Sequence, residues 1–258
     1  MITNDSKKYV HKNKGMEWFG TIPDNWHITK LKRIFKLKNG GTPDSNNEEY
    51  WEENGIIWIT PEDLEGTSSI IKNSRRHISH RGLENSSAKI IQPQSLILST
   101  RAPIGKVKIS AGHCTTNQGC KSLEPISCNI EVRYYYFILL SAKEHLNFLG
   151  SGTTFPELSN YNLINLYAPF PEYSEQVKIA NYIENKTISV DLLIHKNEEL
   201  IESLKEKRQA LITETVTKGL DPYVEMKNSG VEWMGKIPAN WTISRLGYES
   251  SINASLNP

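Results

Sequence analysis

The chain has 258 residues, 38% hydrophobic and 23% charged, the profile of an ordinary globular protein of one or two domains rather than a disordered or fibrous one. Thirty Lys and Arg against 29 Asp and Glu give a net charge of +1, so the total points to no acidic partner. The opening MITNDSKKYVHKNKG has no apolar signal core, and the longest apolar run, Tyr134 to Leu140, is far short of the ~20 residues of a membrane span. A soluble, cytoplasmic protein with no membrane contact is expected.

Taken in chain order, the charge is segregated. Lys7 to Lys38 holds nine basic residues against Glu17 and Asp24, Asp44 to Glu65 holds eight acids and no Lys or Arg, and Lys72 to Lys108 holds eight basic residues against Glu84. Near-neutrality is a cancellation, and it leaves room for a nucleic-acid surface as well as for ordinary solvated faces. Short apolar runs bounded by Gly, Pro, Asn and Ser predict strands at Ile56 to Thr60, Ser95 to Thr100, Val107 to Ile109 and Leu163 to Ala168. A helix is predicted from Ile130 to Leu149, with Asn129 as N-cap, Glu131 in the first turn and Gly150 just past its end. The fold class read from this stretch is α+β.

A second helix follows Pro169 and Pro171. Ser174 is its expected cap, no Pro or Gly intervenes for more than forty residues, and Gly219 and Pro222 stop it. At 1.5 Å per residue it would run roughly 60 Å. Its apolar residues alternate four and three apart: d positions fall on Ile183, Val190, Asn197, Leu204 and Leu211, and a positions on Thr187, Ile194, Ile201, Arg208 and Thr215. Ile183, Val190, Ile194, Asn197, Ile201, Leu204 and Leu211 are therefore the candidate residues of a helix-to-helix interface, with Asn197 fixing register.

Self-comparison shows a repeat. Gly15 opens GMEWFGTIPDNWHITKLK and Gly230 opens GVEWMGKIPANWTISRLG, an offset of 215 residues with ten of eighteen positions identical, including both tryptophans. Ile-Pro cannot continue a helix, and a following Trp anchors a loop on a core, so each copy is read as a packing element at the opening of a domain.

Enzymatic motifs are weak. No G-x-x-x-x-G-K-S/T phosphate loop is present, Gly150-Ser-Gly152 lacks the third glycine of a dinucleotide loop, and Asp221-Pro222-Tyr223 sits at a helix end where Pro is a stop signal. Glu184 and Lys186 lie on the long helix rather than in a nuclease cluster. Cys114, Cys120 and Cys128 show no C-x-x-C pair, so free thiols are expected and no metal or cofactor. Nucleic-acid binding is better served. Arg75, Arg76 and Arg81 form one basic cluster with His77. A second group gathers Thr100 and Arg101, Lys106 and Lys108 alternating with Val107 and Ile109 along a strand, and the polar Thr116, Asn117 and Gln118. Arginine pairs guanine in two-pronged fashion, and hydroxyls and amides reach phosphates or base edges.

These stretches, in this order, resemble the specificity subunit of type I restriction-modification systems. The matching residues are Gly40-Gly41-Thr42-Pro43, Tyr50-Trp51 with Trp58, Ser99 to Gly105, Thr116 to Gly119, Ser151 to Thr154, Glu175-Gln176, and the run from Leu204 through Gly219 into the second Gly-Val-Glu-Trp. The resemblance implies target-recognition domains that each read half of a split site in double-stranded DNA, separated by long helices that pair antiparallel. It also implies a non-catalytic subunit that docks S-adenosylmethionine-dependent modification subunits and, through the complex, ATP-dependent restriction subunits. On this reading residues 1–173 form a recognition domain, 174–218 the long helix, and 219–258 the start of a second repeat. One recognition domain and one long helix fit a half-length subunit that forms a homodimer through the helix and reads an inverted site. The competing expectation is a scaffold or decoy that holds modification subunits without directing them to DNA.

Overall fold

The computed structural model describes residues 9–10, 18–150 and 156–249. Lys7, Lys8, Lys12 and Lys14 of the first basic stretch, residues 15–17 of the first repeat copy and the Ser151 to Thr154 motif lie outside the described residues. Two compact units divide the chain at residues 1–185 and 186–258.

The strands in chain order are β1 (Tyr9–Val10), β2 (Ile22–Pro23), β3 (His27–Lys30), β4 (Phe35–Asn39), β5 (Trp51–Ile59), β6 (Ile70–Ile71) and β7 (Arg76–Ile78). They continue as β8 (Leu96–Ser99), β9 (Val107–Ser110), β10 (Thr115–Thr116), β11 (Cys120–Pro125), β12 (Tyr167–Phe170), β13 (Met226–Asn228) and β14 (Lys236–Pro238). The helices are α1 (His80–Glu84), α2 (Val132–Ser141), α3 (Lys143–Leu149), α4 (Asn160–Ile164), α5 (Tyr173–Lys218) and α6 (Leu246–Glu249).

The first unit is α+β. Its main sheet has the order β4-β11-β8-β9-β6, antiparallel except for the parallel β6/β9 edge. Strand β8 explains why its sequence is apolar at successive positions: Leu96 and Leu98 join the core beneath α2, α3 and α4, while Ile97 turns to the other face and packs with Ile59, Ile71 and Ile91. A second sheet, β10-β5-β7, lies against that other face, with β5 parallel to β10 and antiparallel to β7. Trp58, Ile78 and Ala88 form its own small cluster.

Three expected elements differ in the structure. The single helix expected from Ile130 to Leu149 is α2 and α3, broken at Ala142, where ψ is 0°. Its cap is Glu131, not Asn129, because the Glu131 carboxylate accepts from Arg133 N at 3.2 Å. The strand expected at Leu163 to Ala168 begins as the end of a helix: Ser159 caps α4 by accepting from Asn162 N, and only from Tyr167 does the chain extend and pair with β3. The predicted strand at Ile56 begins earlier, at Trp51.

Helix α5 runs 46 residues from Tyr173, one position before the expected cap, and Gly219 ends it with φ +78°. Its first turns are clamped to α2. Buried Gln176 accepts from Glu131 N at 3.0 Å and donates to Pro171 O at 2.9 Å, and Arg133 reaches Glu131 at 2.9 Å and Glu184 at 2.8 Å. From residue 185 to residue 214 every residue of α5 is exposed. None of the helices among the described residues is long and apolar enough to cross a membrane.

Candidate nucleic-acid interface

The acidic and basic stretches that are separate in sequence meet in space. Glu49 pairs with Arg81 at 2.9 Å, Glu62 and Asp63 with Arg75 at 2.7 and 3.2 Å, and Glu65 with Lys106 at 2.7 Å. Arg101 pairs with Glu157 at 3.1 Å. Four of the candidate cations therefore carry an acid beside them, and no uniformly basic face results from the second stretch.

Arg76 is different. It is exposed, and its guanidinium lies 3.5 Å above the Trp51 ring and 5.7 Å from that of Trp58. Among the described residues no carboxylate forms an ion pair with it. The two indoles meet edge to face at 5.0 Å, and Trp58 Nε1 donates to Gly41 O at 2.8 Å, so the platform is fixed from behind. A Cβ at Gly41 would lie 2.2 Å from Ala88 N, and one at Gly40 1.9 Å from Asn117 O, which is why the Gly40-Gly41 pair admits no side chain.

Arg76 opens onto a cleft of about 590 Å³ lined also by Thr60, Pro61, Asp63, Arg75, Lys106 and Asn117. Asp63 organises one wall, accepting from Thr60 N at 2.8 Å, Thr60 Oγ1 at 2.7 Å and Arg75 N at 3.1 Å. Burial alone would push its carboxyl up, but these bonds and Arg75 outweigh burial and hold it below the ordinary range. The sign follows: a depressed carboxyl contributes stability above the unfolded value of about 3.9 and loses it as pH falls through the folded pKa. We predict that Asp63→Asn costs about 1–3 kcal/mol at neutral pH, and that urea melts show this gap closing in acid. A gap unchanged from neutral to strongly acid pH would contradict the assignment.

The structure thus brings Arg75, Arg76, Lys106 and Asn117 to one cleft, with exposed Gln118 next to Asn117 and bonded to Thr42 Oγ1. Arg101 lines an adjoining pocket with Pro156 and Glu157. Arg81 sits apart on α1. Thr100 and Thr116 are buried in the scaffold: Thr100 N donates to Gly119 O, and Gly41 N donates to Thr116 O. The expected open face of alternating lysines is corrected at Lys108. Both faces of β9 are covered, Lys108 is 6% exposed, and burial pushes its ammonium below the usual lysine range. Trp51 and Asp63 went unassigned as site residues. So did Lys121, whose Nζ lies 3.4 Å from Gln118 O.

Along α5, Val190, Ile194, Ile201, Leu204 and Leu211 are each between half and two thirds exposed, and Asn197 donates to its own Leu193 O at 2.8 Å. Ile183, at the start of the same stripe, is half-buried and lines a cavity of the first unit with Trp26 and Tyr134.

The first unit holds an arginine on a tryptophan at the mouth of a polar cleft, and a long helix follows in the chain. The family model for the type I restriction modification DNA specificity domain matches residues 23–203, and the chain belongs to that family. It is 32% identical over 248 residues to the type I restriction enzyme MjaIX specificity subunit of Methanocaldococcus jannaschii, covering 91% of this chain and 55% of the relative. It is 29% identical over 169 residues to the EcoR124I/EcoR124II specificity subunit of Escherichia coli, covering 60% of this chain and 39% of that one. The chain therefore spans about half the length of these relatives. In fold it is similar to the crystal structure of the HsdS subunit from Thermoanaerobacter tengcongensis, with a TM-score of 0.59 at 19% identity over 82% of this chain and 48% of that one.

Proposed function

We propose that this chain is a non-catalytic DNA-recognition subunit of a type I restriction-modification complex, and that it reads one half of a bipartite site in double-stranded DNA. Residues 1–173 are the recognition domain, 174–218 the spacer helix and 219–258 the start of a second repeat. The observation that carries the reading is Arg76, stacked on Trp51 at the mouth of the cleft with no acid partner among the described residues, inside the region that matches the specificity family. An arginine so placed can donate two parallel bonds to guanine at low ordering cost. Asn117 and Gln118 supply amides for neighbouring base edges or phosphates. Modification subunits, and restriction subunits through them, perform the chemistry.

Selection from a random duplex library by the chain with its modification subunits tests this. Enrichment of one defined half-site is expected; no enrichment would favour a scaffold that holds modification subunits without directing them to DNA.

The exposed stripe of α5 takes a second copy of this chain as its partner. The heptad spacing continues through Val190, Ile194, Ile201, Leu204 and Leu211, and a two-fold pairing buries the same residues from both sides. Each fully buried Leu or Ile contributes about 1.5–3 kcal/mol before ordering costs. Sedimentation should show a dimer at micromolar concentration and a monomer for the Ile194→Asp, Ile201→Asp double variant with unchanged helicity. A monomeric parent, alone and with modification subunits, would sink the dimer.

A further inference from the structure

The sequence repeat carries a repeat of local turns around Ile-Pro, with the flanking strand paired two positions apart in the two copies: Val10 faces Ile22, and Lys227 faces Ile237. In the first copy β1 pairs with β2, Gly20 has φ +66°, and Trp26 N donates to Pro23 O at 3.0 Å. In the second, β13 pairs with β14, Gly235 has φ +63°, and Trp241 N donates to Pro238 O at 2.9 Å. Gly235 and Trp241 stand 215 positions after Gly20 and Trp26, the repeat offset. The two hairpins differ in what covers them.

The first hairpin has a seat. Trp18 packs on the core of the first unit and stacks 6.2 Å from His145. Trp26 Nε1 donates to Glu175 at 3.0 Å, at the start of α5. Thr21, Ile22 and Pro23 line a cavity of about 380 Å³ with Tyr134, Phe137, Ser141 and Ile179. Ile28 then pairs with Pro169 in the β3/β12 ladder.

In the second copy the matching residues are Trp233 for Trp18, Trp241 for Trp26 and Ile243 for Ile28. They are 72%, 37% and 46% exposed. Ile237, the counterpart of Ile22, is buried to the same degree, and Pro238 is buried as well. Trp241 rests partly against Gly219 at the end of α5, where a Cβ would lie 3.4 Å from its ring, while Trp233 and Ile243 are left to water; the surface shaped for this motif is the seat on α2 and the first turns of α5. Ile-Pro and the two Trp are kept in the second copy; Phe19, which also lines the cavity, becomes Met234, and Thr21 becomes Lys236, whose long stem can lie along the apolar rim with its amine in water.

We infer that the second hairpin of one chain is a competing ligand for the seat that the first hairpin occupies on another copy of the chain. Trp241 replaces Trp26 over Glu175, and the first hairpin is displaced. The exchange is independent of DNA reading: a chain that binds no DNA can still make it, and a chain that reads DNA can lack it.

Interchain crosslinking of full-length variants tests the exchange. Two chains are made in a Cys128→Ser background, since Cys114 and Cys120 are buried and Cys128 is exposed. One carries Ser141→Cys in the seat and the other Lys236→Cys on the second hairpin, with tags of different size. On mild oxidation the mixture should form the mixed disulfide at least tenfold faster than a pair in which the second chain also carries Trp241→Ala. The intrachain pair Thr21→Cys with Ser141→Cys serves as the positive control for seat geometry. Mixed disulfide at the background rate, or a rate indifferent to Trp241→Ala, would overturn the inference.

Discussion

Arg76→Ala is expected to weaken binding of the cognate half-site by about 10- to 100-fold and to relax discrimination at a single base pair, the roughly 1–3 kcal/mol that one bidentate arginine contact supplies. The expectation rests on how Arg76 is held. Its guanidinium is already stacked 3.5 Å over Trp51, so little freedom is lost on binding DNA, and no acid among the described residues must be displaced first. Trp51→Ala should therefore produce most of the same loss while leaving the arginine in place. Arg75→Ala should act differently, because Arg75 holds Asp63 and Glu62 and its removal perturbs the wall of the cleft before it touches DNA. Fluorescence anisotropy of the complex on cognate and single-substituted duplexes, at two salt concentrations, separates these cases. A base reader changes specificity, whereas a phosphate contact weakens all sequences alike and lowers the salt slope by about one. Uniform weakening by Arg76→Ala would remove it from base recognition.

Tyr135→Ala should be the most destabilising of the substitutions considered. The side chain is fully buried, its ring meets Phe35 edge to face at 5.2 Å and Tyr134 at 5.0 Å, and its hydroxyl donates to Pro169 O at 3.4 Å. Truncating a buried aromatic costs about 3–5 kcal/mol, a large part of the 5–15 kcal/mol typical of a domain. Tyr135→Phe removes only a long hydrogen bond and should cost less than about 1.5 kcal/mol. Urea denaturation followed by fluorescence reads both. A near-neutral Tyr135→Ala would mean that the packing of α2 on the main sheet is not what holds the recognition domain together.

The long helix was legible because its signals are local: no Gly or Pro, heptad spacing, and Gly219 at the end. Strand β8, apolar at successive positions, was legible for the same reason, and β9 through its alternation. The cleft was only partly legible. Trp51 and Trp58 are seven positions apart, which in a regular strand puts them on opposite faces. A register shift in β5 places both Trp51 and Ile56 opposite Ile78 and so brings the two rings to one side, beside Arg76. A bulge of this kind leaves little trace in periodicity beyond Gly55, whose Cβ would meet Ile78 O at 2.5 Å. Charge misled in the other direction. The runs at Asp44 to Glu65 and Lys72 to Lys108 look like separate faces in sequence, yet the antiparallel pairing of β5 with β7 brings Glu62 and Asp63 to Arg75 and Glu49 to Arg81. Lys108 alternates as an exposed strand residue should, but β9 lies between two cores, and alternation alone does not report a second covered face.

One recognition domain, doubled through α5, is proposed to direct modification to a split site. Single-molecule methylation sequencing of cells carrying this chain and its modification subunits tests it most directly. One methylated motif is expected, made of two half-sites that are inverted copies of each other across a fixed spacer, because both halves meet the same domain. An asymmetric motif would contradict the two-fold dimer, and the absence of any methylated motif would contradict recognition itself.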